Sequence, residues 1–357
     1  MALFEQTLGS CCELYNAALQ ERRDAWRISR KSINFASQSA QLVDIKGARP
    51  EFNGIYSQVL QDTLHRVDKT FKAFFGRVKR QAKAAARTAG FPRFRSRSRY
   101  DSFTYPQLGF SMQSSKLQLS KIGKVKIKLH RAIEGRIKTL TIKREAGKWF
   151  ACFAVECEAK PLPVSTEAIG IDLGLTTFAT LSDGTEIENP RYYKKAQSRL
   201  RKAQRKVSRR QKDSKRRRKA IQLLQRAHSQ ARNQRNDFHH KTSQWLVANY
   251  GLIAVEDLYL KGLASGMLAK SVSDAGWGIF LDKIAYKAAN AGRQFWRVKP
   301  SGTTQLCSGC GSVVLKSLSQ RIYECPTCNL TIGRDENAAI NILGLGLSLQ
   351  DATYSIG

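Results

Sequence analysis

Apolar residues recur at helical spacing in two stretches before residue 90. The first holds Leu8, Cys11, Cys12, Tyr15 and Leu19; the second holds Leu60, Leu64, Val67, Phe71, Phe74, Phe75 and Val78. The spacing predicts two helices joined by a loop over Ile45–Gly54, where Gly47, Pro50 and Gly54 fall together. The second helix is expected to end in the basic stretch Arg77–Arg87. From Phe91-Pro92-Arg93-Phe94-Arg95 the texture changes. Lys124–Leu129 alternates charged and apolar residues, and Leu140–Lys143 and Trp149–Val155 follow with Gly147 between them as a turn. That period predicts a half-buried antiparallel sheet or small barrel whose basic face suits phosphates.

Pro161-Leu162-Pro163 reads as a linker. Beyond it, Ile169-Gly170-Ile171 is a short buried strand ending at Asp172. Thr176–Leu181 and Thr185–Glu188 continue as a meander around the turn Ser182-Asp183-Gly184. Arg191–Asn249 is a long basic helical stretch, with a break expected near Asp213-Ser214; Trp245, Leu246 and Val247 are its packing residues and Gly251 its stop. Leu252–Val255 is another buried strand, ending at Glu256. Ser273–Gly292 reads as a helix packed through Trp277, Phe280, Leu281, Ile284, Tyr286 and Ala288, followed by the strand Phe295–Val298. A short helix, Glu336–Leu343, closes the ordered chain.

The 357 residues carry a formal net charge of +33, and 42% of them are hydrophobic. The hydrophobic share fits folded domains. The charge calls for a polyanion, with nucleic acid favoured over a membrane surface. No apolar run approaches the roughly 18–20 residues of a membrane span. The N-terminus lacks a secretory pattern, so a cytoplasmic protein is expected. In such a compartment paired CxxC motifs read as metal ligands rather than disulfides. Cys307/Cys310 and Cys325/Cys328 form two such pairs and predict one structural zinc, with Gly309, Gly311 and Pro326 shaping the turns. Cys11, Cys12, Cys152 and Cys157 have no ligand spacing and read as small apolar residues.

Three carboxylates carry the sharper chemistry. Asp172 and Glu256 each end an apolar strand, and Asp335 starts the last helix. Strand ends and helix starts share one rim of a sheet, where three acids can hold two magnesium ions for phosphodiester hydrolysis. Against this stand plainer roles: Asp335 as a helix N-cap and Glu256 as a surface acid paired with a lysine. His239 and His240 point to different helix faces and read as solvated or backbone-bonded.

Several segments occur together in the order found in TnpB proteins. They are Ala168-Ile169-Gly170-Ile171-Asp172-Leu173-Gly174, Glu256-Asp257-Leu258, Ser273-Asp274-Ala275-Gly276-Trp277, the paired CxxC, and Arg334-Asp335-Glu336-Asn337-Ala338-Ala339. The chain resembles this family of OrfB-type transposon proteins related to type V CRISPR effectors. The resemblance implies an α/β multidomain protein: an RNase H-like RuvC nuclease domain with an inserted zinc ribbon, preceded by a β-barrel wedge domain carrying a helical insertion. The expected domains are 1–89 helical recognition region, 90–163 wedge barrel, 164–300 RuvC-like domain with basic helices over 191–249, 301–334 zinc ribbon, 335–345 final RuvC segment and 346–357 tail. The implied activity is RNA-guided, magnesium-dependent DNA cleavage by Asp172, Glu256 and Asp335, with a guide RNA from the transposon end and target double-stranded DNA as partners. Arg205, Lys206, Arg209, Arg210, Arg216, Arg217, Arg218 and Lys219 are the candidate nucleic-acid contacts. Two alternatives remain open: a transposase that breaks and joins DNA without RNA, and an idle nucleic-acid-binding regulator. The chain departs from the family at two places. It starts inside the first helix, where relatives usually have a basic strand before it, so one barrel strand is expected to be missing. It also carries Ile332 and Gly333 where His and Asp are common.

Overall fold

A computed structural model describes residues 1–81, 89–300, 302–315, 317 and 320–354. The end of the basic stretch expected to reach Arg87 lies outside the described residues. The chain divides into two compact units, Met1–Glu158 and Ala159–Gly357.

In the N-terminal unit, α1 (Ala2–Ser29) and α4 (Ser57–Gln81) are the long helices, with α2 (Phe35–Ala40) and α3 (Leu42–Ala48) between them. The region read as a loop over Ile45–Gly54 is instead the end of α3 followed by a 3-10 turn, Pro50–Gly54. Pro50 begins that turn, where a missing N–H costs nothing, and Phe52 is buried beneath it. The strands β1 (Ser102–Tyr105), β5 (Arg136–Glu145) and β6 (Lys148–Glu156) form one antiparallel sheet. A second contains β2 (Phe110–Gln113), β3 (Lys116–Leu119) and β4 (Gly123–Lys126). A barrel is expected from the sequence, yet among the described residues no strand pairing joins the two sheets. Phe91–Arg95 adds no strand. Leu8, Cys11, Tyr15 and Leu19 of α1, Leu60 and Leu64 of α4, and Phe103, Leu117 and Leu140 of the sheets share one core. Burial pushes the Cys11 thiol up to about 11, in keeping with an inert packing residue. Cys152 and Cys157 do not pack as expected; both are exposed, because Cys152 falls on the solvent face of alternating β6.

The C-terminal unit is built on five strands: β7 (Ala168–Leu173), β8 (Thr177–Leu181), β9 (Glu186–Glu188), β10 (Leu252–Glu256) and β11 (Gln294–Val298). Their order is β11-β10-β7-β8-β9. The meander β7–β8–β9 is antiparallel, while β7, β10 and β11 run parallel. Helices α5 (Tyr192–Ser208) and α6 (Lys215–Asn249) follow the meander, and their break includes Asp213 at φ 65°. α7 (Leu260–Leu263), α8 (Ala269–Ala275) and α9 (Trp277–Ala291) connect β10 to β11. One face of the sheet buries Ile169, Ile171, Ile253 and Val255 against Leu246, Phe280 and Ile284 of α6 and α9. The small sheet β12 (Ile322–Glu324) and β13 (Thr331–Gly333) precedes α10 (Arg334–Tyr354), which covers the other face.

Four details differ from the sequence reading. The helix expected over Ser273–Gly292 is split, because Gly276 takes a left-handed conformation at φ 66°. Trp245 and Tyr286 are exposed rather than packed. The requirement at Gly251 is steric: a Cβ there would lie 1.9 Å from the Ser165 carbonyl oxygen. Lastly, α10 does not stop at Leu343 but runs through most of the expected tail. Gly346 serves close packing there; a Cβ on it would lie 2.5 Å from Ala254 Cβ. No helix among the described residues is long and apolar enough to cross a membrane.

Candidate active site and zinc centre

Strand register brings the first two acids together. Leu252–Val255 of β10 pairs in parallel with Ala168–Ile171 of β7, residue for residue. Glu256 and Asp172 are the next step along each strand, so both project from the same face at the carboxyl ends. That face carries α10. A Cβ on Gly170 would lie 2.1 Å from the Ala339 carbonyl, so only glycine lets the helix lie this close to β7. Asp335 stands one turn before Ala339, toward the strand ends.

The electrostatics follow from that convergence. Asp172 is half-buried, and its carboxyl is pushed up to about 7 by desolvation, then by the charges of Glu256 and Asp335. Glu256 accepts a hydrogen bond from the Thr303 hydroxyl. Asp335 Oδ1 accepts from Arg334 Nε and Nη2 at 2.9 and 2.8 Å, and Oδ2 lies 3.7 Å from Arg321 Nη1. α10 begins at Arg334, so Asp335 lies inside the first turn and is not its N-cap. Thr303, Arg321 and Arg334 are the partners that sequence reading missed. Arg334 adjoins Asp335 in the motif, but nothing in the spacing marks the other two.

The four cysteine sulfurs lie within 4.8 Å of one another, with Cys307–Cys328 at 3.5 Å and Cys310–Cys325 at 3.6 Å. Zn–S bonds of about 2.3 Å at tetrahedral angles require sulfurs about 3.8 Å apart, so the quartet fits zinc. Among the described residues it is the one group of three or more His, Cys, Asp or Glu meeting that spacing; the three acids, turned to protein donors, do not. The two knuckles are alike. Gly311 N–H donates to the Cys307 carbonyl and Asn329 N–H to that of Cys325, both 2.9 Å. Gly311 and Asn329 are left-handed, at φ 74° and 62°; asparagine is the non-glycine that tolerates this best. The backbone N–H of Cys328, with that of Thr327 and against desolvation, brings the Cys325 thiol down to about 6, while, against the backbone N–H of Leu330, sulfur contacts with the other cysteines push Cys328 up to about 12.

The ribbon is pinned to the acid site. Buried Asn337 accepts from Ser308 N–H at 2.9 Å and donates to the Leu306 carbonyl at 2.8 Å. Asn341, one turn on, donates to the carbonyls of Thr303 and Leu306. Ile332, where a histidine is common, packs into the ribbon's small core with Tyr323.

Residues 277–342 match the Cas12f1-like TNB domain, and residues 152–266 match the OrfB_IS605 family described as "Probable transposase". InsQ of Escherichia coli (strain K12), which bears the name of an RNA-guided DNA endonuclease, is 31% identical over 359 residues, spanning 95% of this chain and 87% of InsQ. The chain belongs to the TnpB family. A Streptomyces pristinaespiralis relative named in the same way is 34% identical over 97% of this chain and 86% of its own length. The fold is similar to that of Cas12f1 solved with sgRNA and target DNA, with a TM-score of 0.57 over 95% of this chain and 81% of that one at 15% identity.

In this TnpB chain the basic residues differ in their contacts. Arg205, Lys206, Arg209 and Arg210 line a cleft of about 390 Å³ with Lys202. Arg216, Arg218 and Lys219 are exposed in the first turns of α6. Cations at a helix N-terminus oppose its dipole, so this placement costs stability until an anion is near. Arg218 Nη2 donates to the Asp213 carbonyl in the break, while Arg217 Nη1 donates to the carbonyls of Val207 and Arg210, tying α5 to α6. Replacing Arg216, Arg218 and Lys219 by alanine should therefore weaken nucleic-acid binding and flatten its salt dependence by about one unit per lost contact. Arg217→Ala should instead lower the melting temperature. Salt titrations of affinity on both variants separate these outcomes.

His239 is fully buried, and its Nε2 donates to the Ala275 carbonyl at 2.9 Å while Nδ1 has no partner. Burial lowers its pKa to about 4. Below pH 6.5 the unfolded chain therefore binds a proton that the folded chain refuses, and stability is lost as pH falls toward about 4. His239→Gln should reduce that acid slope; equal slopes in denaturant melts of both proteins would refute the assignment.

Proposed function

We propose that this protein is an RNA-guided DNA endonuclease in which Asp172, Glu256 and Asp335 hold two magnesium ions at the scissile phosphodiester, and the four cysteines hold one structural zinc. The observation that carries this reading is the parallel register of β7 and β10, which sets Asp172 beside Glu256 on the face where α10 brings Asp335, with the Asp172 carboxyl pushed up by desolvation and by both neighbours. Three acids converge in a chain of net charge +33, and their repulsion is relieved by a cation. Divalent ions bound there would supply an activated water and neutralise the charge developing on the leaving oxygen. Thr303 orients Glu256, while Arg334 and Arg321 hold Asp335.

The family supports RNA and DNA as partners, and the surplus positive charge suits gripping backbones while base pairing reads sequence. In this reading the five-stranded sheet with α10 is the RNase H-like RuvC domain, and residues 301–334 are its inserted ribbon. The α5–α6 pair is a basic insertion, and the N-terminal unit is a wedge with a helical recognition part. Purification with the flanking transposon-end transcript should yield one defined bound RNA. DNA cleavage should then need both that RNA and magnesium. Cleavage at the same rate without RNA would replace this reading with a transposase that acts on DNA directly.

A further inference from the structure

We propose that a cavity on the N-terminal unit binds an unpaired nucleotide of the guide RNA, stacking its base on exposed aromatic rings and giving an oxygen of the nucleotide a partner in Arg22. The cavity, about 1050 Å³, lies among α1, the segment after it, α4 and residues 91–94. Trp26, Phe75, Phe91 and Phe94 line it, and each is 45–55% exposed. Large rings gathered in water around one cavity mark a binding surface rather than a core. They are also held in place: Phe91 meets Phe71 and Phe74 edge-on, with centroids 5.8 and 5.2 Å apart.

Arg22 supplies an independent sign of a ligand. It lines the cavity, is 8% exposed, and donates from Nε to Gln38 and from Nη1 to Asp68. Its Nη2 is buried with no partner. A desolvated guanidinium nitrogen without an acceptor is costly; it is enclosed, with the guanidinium over the Phe71 ring at 5.4 Å, and a shift of the Arg22 side chain toward the cavity would bring it an oxygen of the occupant. Arg27, Lys31 and Arg93 add positive charge to the lining. Its single acid, Asp68, is already paired with Arg22 and Lys72. The occupant should thus be flat, aromatic and anionic, which describes a nucleotide. A duplex keeps its bases stacked and offers only phosphate, so rings would gain nothing from it. RNA presents splayed bases in loops and ends, where aromatic side chains and arginine planes take them.

This inference rests on the proposed RNA partnership, and its test keeps the two apart. The full-length protein and the Trp26→Ala/Phe91→Ala double variant are compared for binding a short oligouridylate, an oligodeoxythymidylate of equal length and an RNA duplex, in high salt to screen phosphate contacts. Oligouridylate affinity should fall roughly 10- to 100-fold, as loss of base–aromatic stacking implies. Duplex affinity and melting temperature should hold. Arg22→Lys, which keeps a charge near Asp68 but removes the second terminal nitrogen, should also weaken oligouridylate binding. Ultraviolet crosslinking should attach RNA to a peptide containing Trp26 or Phe91. Unchanged oligouridylate affinity in a folded double variant, or an equal fall for the duplex, would overturn the pocket. A loss confined to the deoxy strand would overturn its assignment to RNA. Wild-type protein that binds no oligouridylate yet copurifies with the transposon-end transcript would overturn the pocket and leave the RNA partnership standing.

Discussion

Asp172→Ala, Glu256→Ala and Asp335→Ala should each reduce magnesium-dependent cleavage by roughly a thousandfold or more, while guide and target binding persist. Each change removes oxygen ligands from a site that needs all three acids to hold divalent ions. Binding should survive because it rests on cations elsewhere, and losing an acid lessens repulsion of the phosphate backbone. The losses should not add, since the acids act as a unit. Metal-free stability supplies a second readout. With its folded pKa near 7 and an unfolded value near 3.8, Asp172 keeps a proton in the folded state that the unfolded chain has released. Wild type should therefore lose stability as pH rises through that window and no further above it. Asp172→Asn should raise the neutral-pH melting temperature of the metal-free protein even as it abolishes cutting. This slope opposes that of His239, so the comparison belongs between variant and wild type rather than across pH in one protein. A folded, target-bound Asp335→Ala protein that cuts at near the wild-type rate would remove Asp335 from the site.

The two strand acids were legible because burial leaves a plain mark: an apolar run stopped by a carboxylate, seen at Ile171-Asp172 and Val255-Glu256. What places them side by side is the parallel register of β7 and β10, and no local pattern carries that. Asp335 was found at a helix start, yet its partners were hidden. Arg321 comes from the ribbon, fourteen positions earlier in the chain, and Thr303 reaches Glu256 from the loop before the first knuckle. Such contacts depend on tertiary docking.

The last helix was expected to close at Leu343, but α10 continues, and Gly346 lies against Ala254. Amphipathic spacing placed Tyr286 and Trp245 inside, although each falls at the edge of its helix's buried stripe and stays exposed. Lys124–Leu129, Leu140–Lys143 and Trp149–Val155 were recognisable as strands, but β1, β2 and β3 and the grouping into two sheets were not, because pairing partners lie far apart in sequence: Ser102–Tyr105 pairs with Leu140–Lys143.

Loss of zinc should disable cleavage although the cysteines are not among the proposed catalytic acids. Cys307→Ser or Cys325→Ser is expected to lose one bound zinc and destabilise the C-terminal unit by several kcal/mol; structural zinc contributes about 10–16 kcal/mol in isolated peptides, part of which is replaced here by the docking of the ribbon. The effect should reach the acids by two routes. Asn337 and Asn341 bond the knuckle and Thr303 to α10, the helix that carries Asp335. Thr303 in turn orients Glu256. With the knuckle unfolded, α10 loses bonds for the buried Asn337 and the half-buried Asn341 amides and Glu256 loses its donor, so cutting should fall more than the folded fraction does. Asn337→Ala provides the control that keeps zinc but breaks one route: it should retain the metal, melt earlier and cut more slowly. Zinc content, melting temperature and cleavage rate are measured on the same preparations. Native protein without zinc, or a Cys307→Ser variant cutting at the wild-type rate, would sink the structural role assigned to the ribbon.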